Sequence, residues 1–209
     1  MQIITRHNAL EVLHENVGKK LSVFADQHGI TRRGVSGKVN KGWKGLTCEA
    51  IAGLSNSNKK APNGLGYEIK SVPYCVKKGL WVPKETMAIT MLNTEDLLNC
   101  SFFKSCVWEK LKSLIFCMVS FEGQHSIEST LLKVKSLDLM KDDACIKGAE
   151  EDYEFIRDKL RTKGYEALTA KDGNWIQART KGAGHGSKTR AFYAKTAFLL
   201  EIFPPFPAE

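Results

Sequence analysis

Glu68 and Lys70 stand two residues apart in Gly66-Tyr67-Glu68-Ile69-Lys70, a spacing that sends both side chains to one face of a β-strand. A carboxylate beside an ammonium suits phosphodiester hydrolysis. The carboxylate holds a hard cation through oxygen, and the lysine orients a water and offsets developing negative charge. The pair alone is a common coincidence, and a solvated strand face explains it equally well. Two other stretches supply context. Upstream, Lys41-Gly42-Trp43-Lys44-Gly45 leads to Glu49 on an expected helix. Downstream, residues 177–193 (QARTKGAGHGSKTRAFY) hold no acid and many cations and glycines. A loop of that make-up brings amides and cationic side chains against a phosphate backbone. For 181–190 the plain alternative is a solvated loop.

The elements that must position these residues follow from periodicity. Leu10, Val12, Leu13 and Val17 predict a helix over 8–17, stopped by Gly18, and a second short helix covers 20–27. The stretch 30–40 is basic and broken by glycines, so it reads as a loop. Leu46, Ala50, Ile51 and Leu54 predict a helix over 43–54, and the Ser-, Asn-, Lys- and Pro-rich 55–66 is a loop. Tyr67–Val72 alternates as a strand, with Tyr67, Ile69 and Ser71 on one side and Glu68, Lys70 and Val72 on the other. Met87–Leu92, Leu114–Phe121 and Ser129–Leu137 are further strands. Thr94–Lys112 reads as one helix with an N-cap Thr and an acidic first turn. Ala149–Lys163 is an acid-led amphipathic helix ending at Gly164. A hairpin is expected from Tyr165–Ala170 to Trp175–Arg179, turning at Lys171-Asp172-Gly173-Asn174, and Lys195–Phe203 forms a last helix. The result is a mixed α/β chain whose sheet is wrapped by helices.

The bulk composition is that of an ordinary globular chain: 209 residues, 43% hydrophobic and 26% charged. One continuous domain over 1–209 is the default. Thirty-one Lys and Arg against 23 acids give +8, which points to nucleic acid first and an anionic membrane second. The six cysteines form no CxxC pair and sit mostly in apolar runs, so free buried thiols are expected. The N-terminal MQIITRH carries no apolar leader, and no apolar run approaches the roughly 20 residues of a bilayer span. A soluble, cytoplasmic protein is expected.

Taken in order, KGW-x-G-x-x-x-E, G-x-E-x-K, the Lys110-Leu111-Lys112 block, R-x-K-G-A and R-x-F-Y-x-K resemble the MutH/Sau3AI group of PD-(D/E)xK DNA endonucleases. The likeness covers roughly 38–73, 110–112 and 175–200; the N-terminus and centre match poorly. It implies a restriction-endonuclease-like fold with two lobes around a DNA cleft, and Mg²⁺-dependent cutting, with one or two ions, of a short double-stranded site. Glu68 and the Ile69 carbonyl would hold the metal, Lys70 would be the catalytic lysine, Glu49 would support the metal site, and Lys112 would lie near the scissile phosphate. Lys41 and Lys44 would meet the DNA backbone. Arg179, Lys181, His185, Ser187, Lys188, Arg190 and Tyr193 would form the segment that reads the duplex. The products would carry 5′-phosphate and 3′-hydroxyl ends.

One departure matters. The family places an Asp seven residues before the Glu, and here that position is Ala61. Asp before Pro62-Asn63-Gly64 is ordinary turn chemistry, so the reading adopted is an engineered loss of the first metal ligand; a natural homologue that has lost activity is the other origin. Either way this copy is expected to be impaired. The poor match of the N-terminus and centre to the repair enzyme favours a type II restriction enzyme. A mismatch-repair nickase, or a non-catalytic DNA-binding protein with Arg32, Arg33, Lys38 and Lys41 flanking a recognition helix, is the alternative. GATC is only the family's favoured site, and monomer or dimer stays open.

Overall fold

The computed structural model describes residues 4–54, 66–181 and 189–208. In chain order its elements are α1 (Arg6–Glu15), α2 (Leu21–Gln27), α3 (Trp43–Ile51), β1 (Glu68–Lys77), β2 (Leu80–Pro83), β3 (Met87–Met91), α4 (Thr94–Asn99), α5 (Cys106–Leu111), β4 (Ser113–Ser120), β5 (Leu131–Asp138), α6 (Ala144–Lys163), β6 (Ile176–Thr180), β7 (Arg190–Ala194), α7 (Thr196–Ile202) and β8 (Phe206–Pro207). They fall into two compact units. One is Met1–Lys84 with Ser113–Leu137 and Phe206–Glu209, and the other is Glu85–Lys112 with Asp138–Pro205.

The first unit is built on a five-stranded mixed sheet in the order β5-β4-β1-β2-β8. This is the helix-flanked α/β architecture of the restriction-endonuclease-like fold. Strands β1 and β4 run parallel from Glu68↔Leu114 to Tyr74↔Ser120. Leu114–Val119 is buried throughout, as an unbroken apolar run should be when both faces of a strand are covered. The odd-numbered face carries Tyr67, Ile69, Ile115, Cys117 and Val119 into one core with Leu13 of α1, Leu21 and Ala25 of α2, and Trp43, Cys48 and Ile51 of α3. Gly45 lets α3 come close, since a Cβ there would stand 3.3 Å from Ser71 Oγ. Arg6 ties the start of α1 to the sheet, donating to the Leu137 carbonyl at 2.7 Å.

Strand β1 runs five residues past the expected end. Pro73 is no obstacle, because its carbonyl accepts from Lys84 N at 2.9 Å on the side where a proline N–H is not required. The chain then reverses at Lys78 (φ 51°) and Gly79 (φ 76°) into β2. Two positive-φ residues are what a two-residue hairpin turn demands.

The second unit holds the three-stranded antiparallel sheet β3-β7-β6 with α4, α5, α6 and α7. The single helix expected over 94–112 is instead α4, a 3₁₀ turn at Phe102–Lys104, and α5. Cys100, Ser101 and Ser105 are extended, and Ser105 Oγ accepts from Trp108 N to start a new helix. The cap of α4 is Asn93, whose side chain accepts from Glu95 N and Asp96 N. The hairpin expectation is corrected too. Tyr165–Ala167 is a 3₁₀ turn, and β6 pairs with β7 from Ile176↔Ala194 to Thr180↔Arg190. The turn itself, 171–174, is where the sequence puts it. It is tied down by Asp172, which accepts from Lys159 Nζ at 2.6 Å and Thr169 N at 2.7 Å.

All six cysteines are free thiols, and burial first of all pushes Cys145 up to about 11. No described helix is long and apolar enough to cross a membrane.

Burial raises the Asp172 carboxyl, but the Lys159 bond, then the Thr169 amide, outweigh it and leave the group below its ordinary value. A depressed carboxylate stabilises the fold above its unfolded pKa, and that stability is lost as pH falls through the folded value. Lys159→Met should therefore cost about 1–2 kcal/mol at pH 7, after allowing for partial exposure of the lysine. The difference from wild type should shrink below pH 4, as read by urea denaturation against pH.

Candidate nuclease site

Glu68 opens β1 with 3% of its surface exposed. Lys70 follows on the same face, its Nζ 2.7 Å from Glu68 Oε1 and its side chain 15% exposed. The spacing reading of the pair therefore holds geometrically: both leave the even-numbered face, opposite the face that packs on α3. A buried carboxylate is costly unless a cation and hydrogen bonds answer it, and Lys70 supplies the cation. Val72 and Tyr74, on the same face further along, are fully buried.

The Ile69 carbonyl can be placed from the ladder. Tyr74 O accepts from Phe121 N on the β4 side, and Pro73 O accepts from Lys84 N on the opposite side. Carbonyls alternate along a strand, so Ile69 O shares the direction of Pro73 O, away from β4. The β2 pairing begins only at Tyr74, so among the described residues no strand occupies that edge at Ile69. The donors that β1 presents are thus a carboxylate oxygen and a main-chain carbonyl, hard ligands of the kind Mg²⁺ takes. Among the described residues no three His, Cys, Asp or Glu side chains come together as a metal site. The donor set fits a hard cation in kind. Position 61 lies outside the described residues.

Glu49 sits on α3, which packs on the Ile69 and Ser71 side of the strand. It lines a shallow hollow with His28, Ile30, Leu46, Ala50 and Leu54, and neither Glu68 nor Lys70 borders that hollow. Lys44 reaches the Ser120 carbonyl at 3.0 Å, while Lys41 is exposed. Arg32 and Arg33 do not flank a helix. Arg32 grips both Asp26 carboxylate oxygens at 2.8 Å, Arg33 donates to the Gly37 and His125 carbonyls at 3.0 Å, and Arg33 bridges to Val39 in a tight loop. Arg32 is part-buried and Arg33 exposed, and both guanidiniums are anchored by the protein's own carbonyl and carboxylate groups.

In the second unit, Lys112 pairs with Glu109 at 2.7 Å on a part-exposed surface. Its neighbour Lys110, two residues earlier, is 9% exposed, so Lys-Leu-Lys turns Lys110 inward and Lys112 outward. Arg179 lies 4.3 Å from the Tyr193 ring and donates to Thr86 Oγ1 at 3.0 Å. Two residues far apart in sequence thus form one stacked pair on adjacent strands. Lys181 is exposed, its N–H held by Thr189 O at 2.9 Å, which closes the β6–β7 ladder before the loop. His185, Ser187 and Lys188 lie outside the described residues.

Arg190 requires a correction. Expected at the DNA, it is 5% exposed; its Nε donates to Leu168 O at 3.1 Å and its guanidinium lies 4.4 Å from the Tyr165 ring. It holds the 165–168 turn. Residue parity explains this: on β7 the even positions face inward, which sends Arg190 and Phe192 one way and Tyr193 the other.

Residues 52–158, just over half of the chain, match the family model for DNA mismatch repair enzyme MutH. This chain belongs to the MutH family. MutH-family proteins are PD-(D/E)xK DNA endonucleases, and divalent-metal dependence is general among them. Curated relatives named DNA mismatch repair protein MutH include one from Shewanella sp. (strain W3-18-1), 27% identical with 96% of each chain covered. Another, from Shewanella woodyi, is 28% identical over 90% of this chain and 87% of its own. The protein of Escherichia coli O17:K52:H18 is 29% identical over 79% and 71%. The family match spans the Glu68–Lys70 strand, and the alignments to the Shewanella sp. protein run through the N-terminal and central regions that the motif reading found dissimilar.

Lys70→Met should leave the Glu68 carboxylate buried without its cation, at a cost of about 3–5 kcal/mol in urea denaturation. Pairing it with Glu68→Gln should recover most of that loss. Additive losses in the double-mutant cycle would show that the 2.7 Å pair is not coupled.

Proposed function

We propose that this MutH-family chain is built to hydrolyse one phosphodiester of duplex DNA at a short site, as a repair-type nicking endonuclease weakened by Ala61. The observation that carries this reading is the Glu68–Lys70 pair, buried on one face at the start of β1 with the Ile69 carbonyl directed away from β4. Glu68 and Ile69 O would hold Mg²⁺, which when bound supplies Lewis acidity and a lowered water pKa. Lys70 donates to the attacking water or to a non-bridging phosphate oxygen and offsets the charge that builds there. Water adds to phosphorus as the bond to the 3′ oxygen breaks, so the expected ends are 5′-phosphate and 3′-hydroxyl.

Arg179 and Tyr193 form the face proposed to meet bases or phosphates. A guanidinium stacked on a ring and hydrogen-bonded to Thr86 has lost most of its rotamer freedom before DNA arrives. The net charge of +8 supports a polyanionic partner. The repair-named relatives align over 96% and 79% of this chain, which supports nicking over the type II cleavage expected from the dissimilar ends. Recognition of GATC would follow the family's habit.

Ala61→Asp should raise Mg²⁺-dependent cleavage on the order of 100-fold or more above the present chain. Supercoiled plasmid should convert to open circle if one strand is cut and to linear DNA if both are. A folded revertant that cuts neither strand overturns the catalytic reading.

A further inference from the structure

Helix α6 is the longest element, 20 residues, and one stripe of it touches the turn that feeds β6 at several successive levels. Gly148 lies against Trp175: a Cβ at 148 would come within 2.2 Å of the indole at two atoms. One turn on, the Asp152 carboxylate, 6% exposed, accepts from three consecutive main-chain amides. These are Asn174 N at 2.9 Å, Trp175 N at 2.6 Å and Ile176 N at 2.9 Å. Ile156 continues the stripe in the core, and Lys159 reaches Asp172 at 2.6 Å. Beside the stripe, the Tyr153 ring stacks on Phe192 of β7 at 5.7 Å.

Three successive amides converging on one oxyanion make a nest of the kind that elsewhere binds phosphate. Here the anion is built in. The nest needs Gly173 at φ +71°, where a Cβ would stand 2.1 Å from Ile176 O and 2.7 Å from the Asp152 carboxyl carbon. From the far side, Lys195 N donates to Trp175 O at 2.8 Å and Lys195 Nζ to Gly173 O at 2.6 Å. The entry into β6 is therefore held at its first residue between the Asp152 carboxylate on one side and Lys195 on the other.

The register of β6 matters because strand parity is all-or-none. α6 supports the even-numbered back of the pair, through Phe192. The odd-numbered front carries Arg179 and Tyr193. We propose that Asp152 is a positioning residue for sequence discrimination: by holding amides 174–176 it sets which face of β6 presents Arg179 beside Tyr193. This inference rests on the duplex-DNA reading above. It assigns Asp152 no contact with DNA.

Duplexes of 20 base pairs enriched by the wild-type chain from a randomised pool, and scrambled duplexes of the same composition, provide the probes. Asp152→Asn removes the negative charge and replaces one accepting oxygen by an NH2 group that can only donate, so discrimination between enriched and scrambled duplexes should fall at least 10-fold. Affinity for scrambled DNA, set by charge, should stay within 2-fold. Ile156→Val removes a buried methylene from the same stripe without touching the nest. It should lower thermal stability yet keep the wild-type discrimination ratio, which separates positioning from simple loss of stability. Lys159→Met loosens the other end of the turn and should cost discrimination about 3-fold, so it carries the test if Asp152→Asn does not fold. Unchanged discrimination in a folded Asp152→Asn protein, or in Lys159→Met where that is the only folded variant, overturns the inference. So does a ratio that falls equally in Ile156→Val. A wild-type chain that binds duplex without preference overturns it too but leaves the nuclease reading standing; one that binds no duplex overturns both.

Discussion

A central strand that is apolar on one face and opens with a buried charge pair on the other is the constraint around which the first unit is arranged. The odd face of β1 joins Tyr67 and Ile69 to the helical core, and its even face begins with Glu68 at 3% exposure. A carboxylate so placed is tolerable only with a cation at contact distance, and the residue two positions on is the nearest that a strand can offer on the same face. Lys70 therefore answers the burial cost of Glu68 and is also the ammonium that the proposed hydrolysis would use. The close approach of α3 at Gly45, the uninterrupted apolar β4 and the carbonyl alternation that turns Ile69 O outward all serve that one strand.

The second unit solves a different problem with the same physics. It must hold a short antiparallel pair with Arg179 and Tyr193 on one side, and its sheet is only three strands wide. The long helix α6 provides the stiffness. A carboxylate at 152 takes up three amides that the tight turn would otherwise leave unpaired, and a second one at 172 closes the turn on Lys159. Buried polar groups are high-stakes in this way: fully satisfied, they select one backbone path. Arg190, which looks like a DNA contact by type, is used for the same purpose at the 165–168 turn.

Elements with a strong period were legible. The three N-terminal helices, the strands at 67, 87, 114 and 131, and the helix ending at Gly164 all fall within a few residues of their expected places. Failures occurred where local polar groups compete with period. Ser105 divides an apparently continuous helix because its hydroxyl caps the start of α5, while Cys100 and Ser101 before it are extended. The partner of β6 was misassigned to the nearest upstream run, since nothing local distinguishes a strand 165–170 from a 3₁₀ turn capped by a buried arginine.

The sequence alone determined that Glu68 and Lys70 share a face, because a two-residue spacing has only one outcome on a strand. It also determined that the residue seven before Glu68 is not a carboxylate, because that is a matter of composition and counting. Only the tertiary structure decided which of the other charges are spent internally. Arg32, Arg33 and Arg190 read as DNA-binding groups from their types, yet they are held by atoms 4 to 95 positions away along the chain. The physical reason is that a charge's role depends on which donors and acceptors the fold brings within 3 Å of it, and spacing along the chain carries that information only when both partners lie on the same strand or the same turn of helix.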